Sequence, residues 1–101
     1  MRGDAKASMK RHVLSRDFRI RNQYGIHARP AALIVKEASK FEADVSIERG
    51  TNRVSGKSII GLMTLAAGMG VRIRVTADGP DAADALDALQ KLIEDQQFYE
   101  E

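Results

Sequence analysis

His27 is one of two histidines in a chain without cysteine, and it stands in the stretch Gly25-Ile26-His27-Ala28-Arg29-Pro30-Ala31. The stretch joins a strand-like run to a helix-like run. Gly25 can take a positive φ and end the strand, while Pro30, followed by alanines, suits the first turn of a helix. His27 is thereby placed at a helix N-terminus, where N–H groups lack internal partners and the dipole favours one exposed negative charge by about 0.3–1 kcal/mol. Arg29 adds a cationic fork two residues on. A neutral imidazole is a nucleophile, and a phosphoryl group attached to it here would meet donors already in place. The residue types point to phosphoryl acceptance. On spacing alone, however, the simpler reading is favoured: a histidine that caps the helix beside a solvated arginine.

A second stretch, Gly56-Lys57-Ser58-Ile59-Ile60-Gly61-Leu62-Met63, opens another helical pattern. Ser58 is a good N-cap, since its hydroxyl can accept a hydrogen bond from the first turn. With Leu62, Leu65 and Ala66 facing the core at helical spacing, Ile59, Ile60 and Met63 form an adjacent patch that points toward solvent. An apolar excess on so short a helix means either a docking surface or tight packing. Met63 suits the former, because its flexible, polarisable side chain adapts to several partners.

The remaining elements must position these two stretches. Phe18 and Ile20 alternate with Arg19 and Arg21, the period-2 pattern of a half-buried strand starting at Val13, and Asn22 to Gly25 closes it. Ala31, Ile34, Val35 and Ala38 fall on one helical face, with Lys36, Glu37 and Lys40 opposite, and this helix ends near Phe41. Val45 and Ile47 alternate with Ser46 and Glu48, a glycine-containing turn spans Glu48 to Asn52, and Arg53-Val54-Ser55 starts back as the second arm of a hairpin. The short helix runs from Ser58 to Ala67. Val71, Ile73 and Val75 form the last strand, Asp78-Gly79-Pro80 breaks it, and Asp81 caps a final helix with Asp84 in its first turn. Ala85, Leu86, Leu89, Leu92 and Ile93 are its buried stripe. Phe98 to Glu101 reads as a frayed acidic end.

The order is therefore β-α-β-β-α-β-α. Three helical stripes need cover and each strand offers one apolar face, so the helices lie on one side of one sheet, an α+β arrangement. Periodicity leaves the strand order open, and a ferredoxin-like sheet would use the same elements.

Composition fits one domain: 101 residues, 44% hydrophobic and 30% charged, with a formal charge of +2. A chain of this size buries about two-thirds of its unfolded surface. Without cysteine there is neither a disulfide framework nor a thiolate metal site, and two histidines far apart in sequence make a poor metal cluster. No apolar run approaches ~20 residues and the start lacks an apolar signal core, so neither a membrane span nor a signal peptide is expected, and a reducing, cytoplasmic home fits. Residues 1–11 are small, polar and basic, and read as a disordered arm in which Met9 is an alternative start; residues 12–101 form the domain.

The two motifs, in this order, resemble the HPr family, the histidine-containing phosphocarriers of the bacterial phosphoenolpyruvate-dependent sugar phosphotransferase system. The likeness runs from about Phe18 to about Ile93. It implies an open-faced sandwich, a four-stranded antiparallel sheet with three helices on one face. It further implies a carrier rather than an enzyme: His27 accepts a phosphoryl group from phosphorylated enzyme I and passes it to enzyme IIA domains, and Arg29 stabilises the phosphoryl oxygens. Ile59, Ile60 and Met63 would meet those partners. Ser58 would be the target of an HPr kinase/phosphorylase. No organic cofactor or metal is implied, nor a membrane or nucleic-acid partner, and the carrier would act as a monomer. A nitrogen-type regulatory relative would keep the histidine motif, but Lys57-Ser58-Ile59 with Gly61 and Met63 looks more like the sugar type. A more distant alternative is an RNA-binding βαββαβ domain with Arg19, Arg21, Arg72 and Arg74 on the open sheet face. It is disfavoured because no exposed strand position carries an aromatic on which a base would stack.

Overall fold

The structure, a computed structural model, describes residues 13–99. The arm at residues 1–11 and the alternative start at Met9 lie outside the described residues.

The period-2 runs form four strands: β1 (Val13–Arg19), β2 (Asp44–Arg49), β3 (Asn52–Ser55) and β4 (Arg72–Asp78). All pair antiparallel in the order β1-β4-β2-β3, so the last strand in sequence lies between the first two. The register sets Phe18 opposite Ile73 and Ile47 opposite both Val75 and Val54, which puts the apolar residues of the four strands on one face apart from Val13, exposed at the start of β1. Three helices cover that face: α1 (Ala28–Ala38), α2 (Ile59–Thr64) and α3 (Ala82–Gln90), the last continuing through a π turn, Lys91–Asp95, and a 3-10 turn, Gln97–Tyr99. Ala31, Ile34 and Ala38 of α1, Leu62 of α2, and Ala85, Leu86 and Leu89 of α3 are buried against the sheet's Phe18, Ile47, Ile73 and Val75. Leu92 and Ile93 extend the α3 stripe as expected.

The open face of the sheet carries both signs of charge. Asp17 accepts from Arg74 Nε at 2.9 Å, Arg53 meets Glu48 at 3.5 Å, Ser15 and Thr76 share a hydrogen bond of 2.7 Å, and Arg19 Nη1 donates to the Gly70 carbonyl at 3.0 Å. Two of the four arginines of the RNA reading are thus held in bonds within the protein. The exposed positions of the four strands carry no aromatic side chain, so this face offers neither a bare cationic surface nor a stacking platform.

Three local expectations change. The short helix stops at Thr64 rather than Ala67, because Ala66 turns left-handed with φ 51°. Ala66 is consequently exposed and Ala67 takes the buried position. Arg49 Nη1 donates to the carbonyls of Leu65 and Ala66 at 3.0 and 2.7 Å, satisfying acceptors that a helix end leaves open. Asp81 stands at the N-cap of α3 but makes no capping bond; its carboxylate accepts instead from the N–H groups of Glu42 and Ala43, at 2.9 Å each. It ties the turn before β2 to the start of α3. The C-terminal segment is not frayed at Phe98, whose ring is fully buried in the core.

Candidate functional site

The loop from Asn22 to His27 is built by its own short-range bonds. Asn22, buried behind β1, donates from Nδ2 to the Gly25 carbonyl at 2.9 Å, and the Gly25 N–H returns to the Asn22 carbonyl at 3.3 Å. Gly25 has φ 68°, the left-handed conformation glycine adopts freely. Glycine is required there a second time, because a Cβ would stand 2.3 Å from the Ala67 carbonyl oxygen. That close approach lets the Ile26 N–H donate to the same carbonyl at 2.9 Å. The histidine loop is therefore fastened to the segment leaving α2.

His27 then takes the N-cap position of α1 in extended backbone, φ −110° and ψ −163°, and its carbonyl accepts from Ala31 N–H at 2.9 Å. The side chain is exposed and makes no capping hydrogen bond, so the capping reading does not describe it. Its ring forms a T-shaped pair with that of Tyr24, with centroids 6.3 Å apart and planes at 81°. The N–H groups of Ala28 and Arg29 lie in the first turn, where helix geometry provides no carbonyl partner, and Pro30 has no N–H to leave unpaired. Arg29, exposed in the same turn, reaches the other end of the chain: Nη1 donates to the Phe98 carbonyl at 3.3 Å. The chemistry available is nucleophilic attack by an exposed imidazole beside backbone donors and a guanidinium, which together can receive a phosphoryl group.

Ser58 is the N-cap of α2, accepting from Gly61 N–H at 3.0 Å. Ile59, Ile60 and Met63 are exposed on that helix, at 41%, 78% and 45%, while Leu62 is buried. The three exposed residues lie on the side of α2 away from the core that Leu62 enters, and α1 packs beside this helix. Tyr24, in the loop before α1, and Met69, after α2, are also exposed. Among the described residues, no three histidine, cysteine or acidic side chains come together as a metal site, and no helix is long and apolar enough to cross a membrane.

Sequence reasoning did not single out Asn22 or Phe98. Asn22 had one available signal, a short polar side chain three residues before a turn glycine, where it can bond its own backbone. Phe98 had none, standing alone among polar and acidic residues.

Residues 14–95 match the family model described as PTS HPr component phosphorylation site. The chain belongs to the HPr family. It is 46% identical over 83 residues to phosphocarrier protein HPr of Treponema pallidum (strain Nichols), covering 82% of this chain and 93% of that protein. Phosphocarrier protein HPr of Cupriavidus necator is 43% identical over 81 residues, covering 80% and 91%. Among solved structures, HPr-C-His from Thermoanaerobacter tengcongensis superposes with a TM-score of 0.82 at 40% identity, covering 87% of this chain and 98% of that one. The HPr fold and a phosphocarrier role in the phosphotransferase system follow from membership.

Proposed function

We propose that His27 is the phosphoryl acceptor of this HPr-family chain, taking the group from phosphorylated enzyme I, which draws it from phosphoenolpyruvate, and giving it to enzyme IIA domains during sugar uptake in the cytoplasm. On acceptance one nitrogen of the His27 imidazole forms a bond to phosphorus as the donor's bond to phosphorus breaks, and the imidazole's proton leaves to solvent. On delivery that bond breaks as the acceptor's bond to phosphorus forms, and His27 takes a proton back from solvent. The first-turn N–H groups and Arg29 receive the phosphoryl oxygens, a cluster of donors aimed where negative charge arrives. Solvent exposure of the site keeps phosphohistidine from being held so tightly that the second transfer slows.

The observation that carries this reading is the exposed imidazole at the N-cap of α1, on a loop whose backbone is fixed by Asn22, Gly25 and Ala67. The α2 surface of Ile59, Ile60 and Met63 serves as the docking patch for both partners, which bind transiently to a monomer. Ser58 is the regulatory site: an HPr kinase/phosphorylase would place about 1.5 to 2 negative charges beside that patch and oppose docking, while the helix start tolerates them.

The test is a two-step relay. The chain, phosphorylated by enzyme I and phosphoenolpyruvate and then freed of both, is mixed with an enzyme IIA domain of a sugar permease. Transfer of the label to that domain is the expected result. A chain that takes up phosphate but delivers it only to a nitrogen-type acceptor would overturn the sugar assignment.

A further inference from the structure

The carbonyls of Leu65, Ala66 and Ala67 all accept from outside their own segment. Arg49 Nη1 donates to the first two at 3.0 and 2.7 Å, and the Ile26 N–H donates to the third at 2.9 Å. The segment leaving α2 is thus gripped from two sides, by the last residue of β2 and by the loop that carries His27. Ala66, at its centre, has φ 51°, a left-handed conformation that strains a residue with a Cβ and that glycine more often supplies after a helix. Such strain persists only where the surroundings over-determine it.

Local preference would not turn the chain there. Leucine and alanine are good helix formers, and nothing in the side chains of Leu65, Ala66 and Ala67 stops α2 at Thr64. The stop comes from the sheet. Val45 and Ile47 point to the helix-covered face of β2, and Arg49 is the next residue in that series. At the strand's end, it meets the open carbonyls where α2 finishes.

We propose that Arg49 is a positioning residue for phosphoryl transfer: by holding the Leu65 and Ala66 carbonyls it keeps Ala66 left-handed, and so sets the Ala67 carbonyl that fixes Ile26 and, one residue on, the His27 imidazole. The inference rests on His27 being the acceptor proposed above. Without the guanidinium, Ala66 relaxes toward the right-handed region and the Ala67 carbonyl leaves the Ile26 N–H. The histidine loop follows, because it is seated so closely on that carbonyl that even a Cβ at Gly25 would stand 2.3 Å from its oxygen. Arg49 acts through Ala67 and Ile26, not on the reacting atoms.

The experiment is a rapid-quench measurement of transfer from phosphorylated enzyme I to the full chain over a range of chain concentrations, which separates the limiting rate from the half-saturating concentration. Arg49→Met keeps an unbranched stem but removes the donors. It should lower the limiting rate by about three- to tenfold and leave the half-saturating concentration within about twofold of wild type. Arg49→Lys should restore most of the rate, since one ammonium can donate to both carbonyls. Arg49→Met/Ala66→Gly should also recover, because glycine takes the left-handed turn without being held there. In amide exchange, Arg49→Met should speed the Ile26 N–H by about tenfold while the Ile20 N–H, bonded to the Val71 carbonyl, keeps its rate. A wild-type limiting rate in Arg49→Met, or no recovery with Ala66→Gly, would overturn the proposal. So would a loss confined to the half-saturating concentration, which would make Arg49 a docking cation. Should Arg49→Met fail to fold, recovery of the fold by Ala66→Gly supports the proposal and persistent unfolding overturns it. Failure of wild type to take up a phosphoryl group at all would instead sink the reading of His27, and is seen before any Arg49 variant is compared.

Discussion

Replacing Gly25 by alanine separates the two reasons for glycine in the histidine loop, because Gly50 supplies a control that has only one of them. Both glycines are left-handed, with φ 68° and 61°, but a Cβ at Gly50 meets nothing within 4 Å whereas one at Gly25 would lie 2.3 Å from the Ala67 oxygen and 2.7 Å from Gly68 Cα. Gly50→Ala should therefore cost only the left-handed penalty, roughly 1–2 kcal/mol. Gly25→Ala adds the displacement of Ala67, which strands the buried Ile26 N–H at about 1–3 kcal/mol, for a total of about 2–5 kcal/mol. That is a large share of the 5–15 kcal/mol typical of a whole domain. Urea denaturation at neutral pH measures both. At a temperature where Gly25→Ala is still mostly folded, transfer to His27 should fall by about tenfold or more beyond the unfolded fraction, since a misplaced nucleophile is costly. Equal destabilisation of the two variants, within about 0.5 kcal/mol, would refute the idea that the Ala67 contact anchors the loop.

Other consequences follow from the same geometry. Arg29→Ala should slow phosphoryl transfer by about 10²-fold, as loss of one preorganised donor does, while changing stability by no more than about 0.5 kcal/mol in a thermal melt; unfolding would reveal a structural arginine. Met63→Glu and Ser58→Asp should each weaken transfer from enzyme I with melting temperatures near wild type, because a carboxylate on the α2 surface is penalised only when that surface is desolvated. A large fall in melting temperature would place Met63 in the core. Acid should destabilise the fold through Asp81 and Asp17. The Glu42 and Ala43 N–H groups hold the Asp81 carboxyl, and the Arg74 hydrogen bond the Asp17 carboxyl, below the usual carboxylate range. A carboxylate lowered in the folded state adds stability that is present above its unfolded value and is lost as pH falls through the folded one. Asp81→Asn should therefore flatten the decline in stability below the ordinary aspartate range; an unchanged acid limb in denaturation curves would contradict that assignment.

Legibility followed the range of the forces involved. Strand alternation at Phe18 and Ile20, the α3 stripe from Ala85 to Ile93 and the Ser58 cap are local patterns, and they stand where periodicity puts them. The strand order is not local: β4 pairs with β1 across some sixty residues, as in Ser15 with Thr76, and no period encodes that choice. Asp81 shows how a local rule yields to tertiary structure, because two N–H groups of a distant turn outcompete its own helix. Ala66 and Ala67 exchanged faces once Arg49 capped a helix that ended a turn early. At the site, the position of His27 and Arg29 at the start of α1 and the exposure of Ile59, Ile60 and Met63 were readable from residue type and spacing, whereas the roles proposed for them rest on the family resemblance. Phe98 was not, since its burial depends on a π turn followed by three left-handed residues, a path that no helical or strand period describes.

The central claim is tested most directly by the mass of the intact chain after incubation with enzyme I and phosphoenolpyruvate, read before and after mild acid, for wild type and His27→Ala. Wild type should gain one phosphoryl group that acid removes, as a nitrogen-bound phosphate is lost and a serine ester is not, and His27→Ala should gain none. A modification that survives acid, or that persists in His27→Ala, would contradict the account.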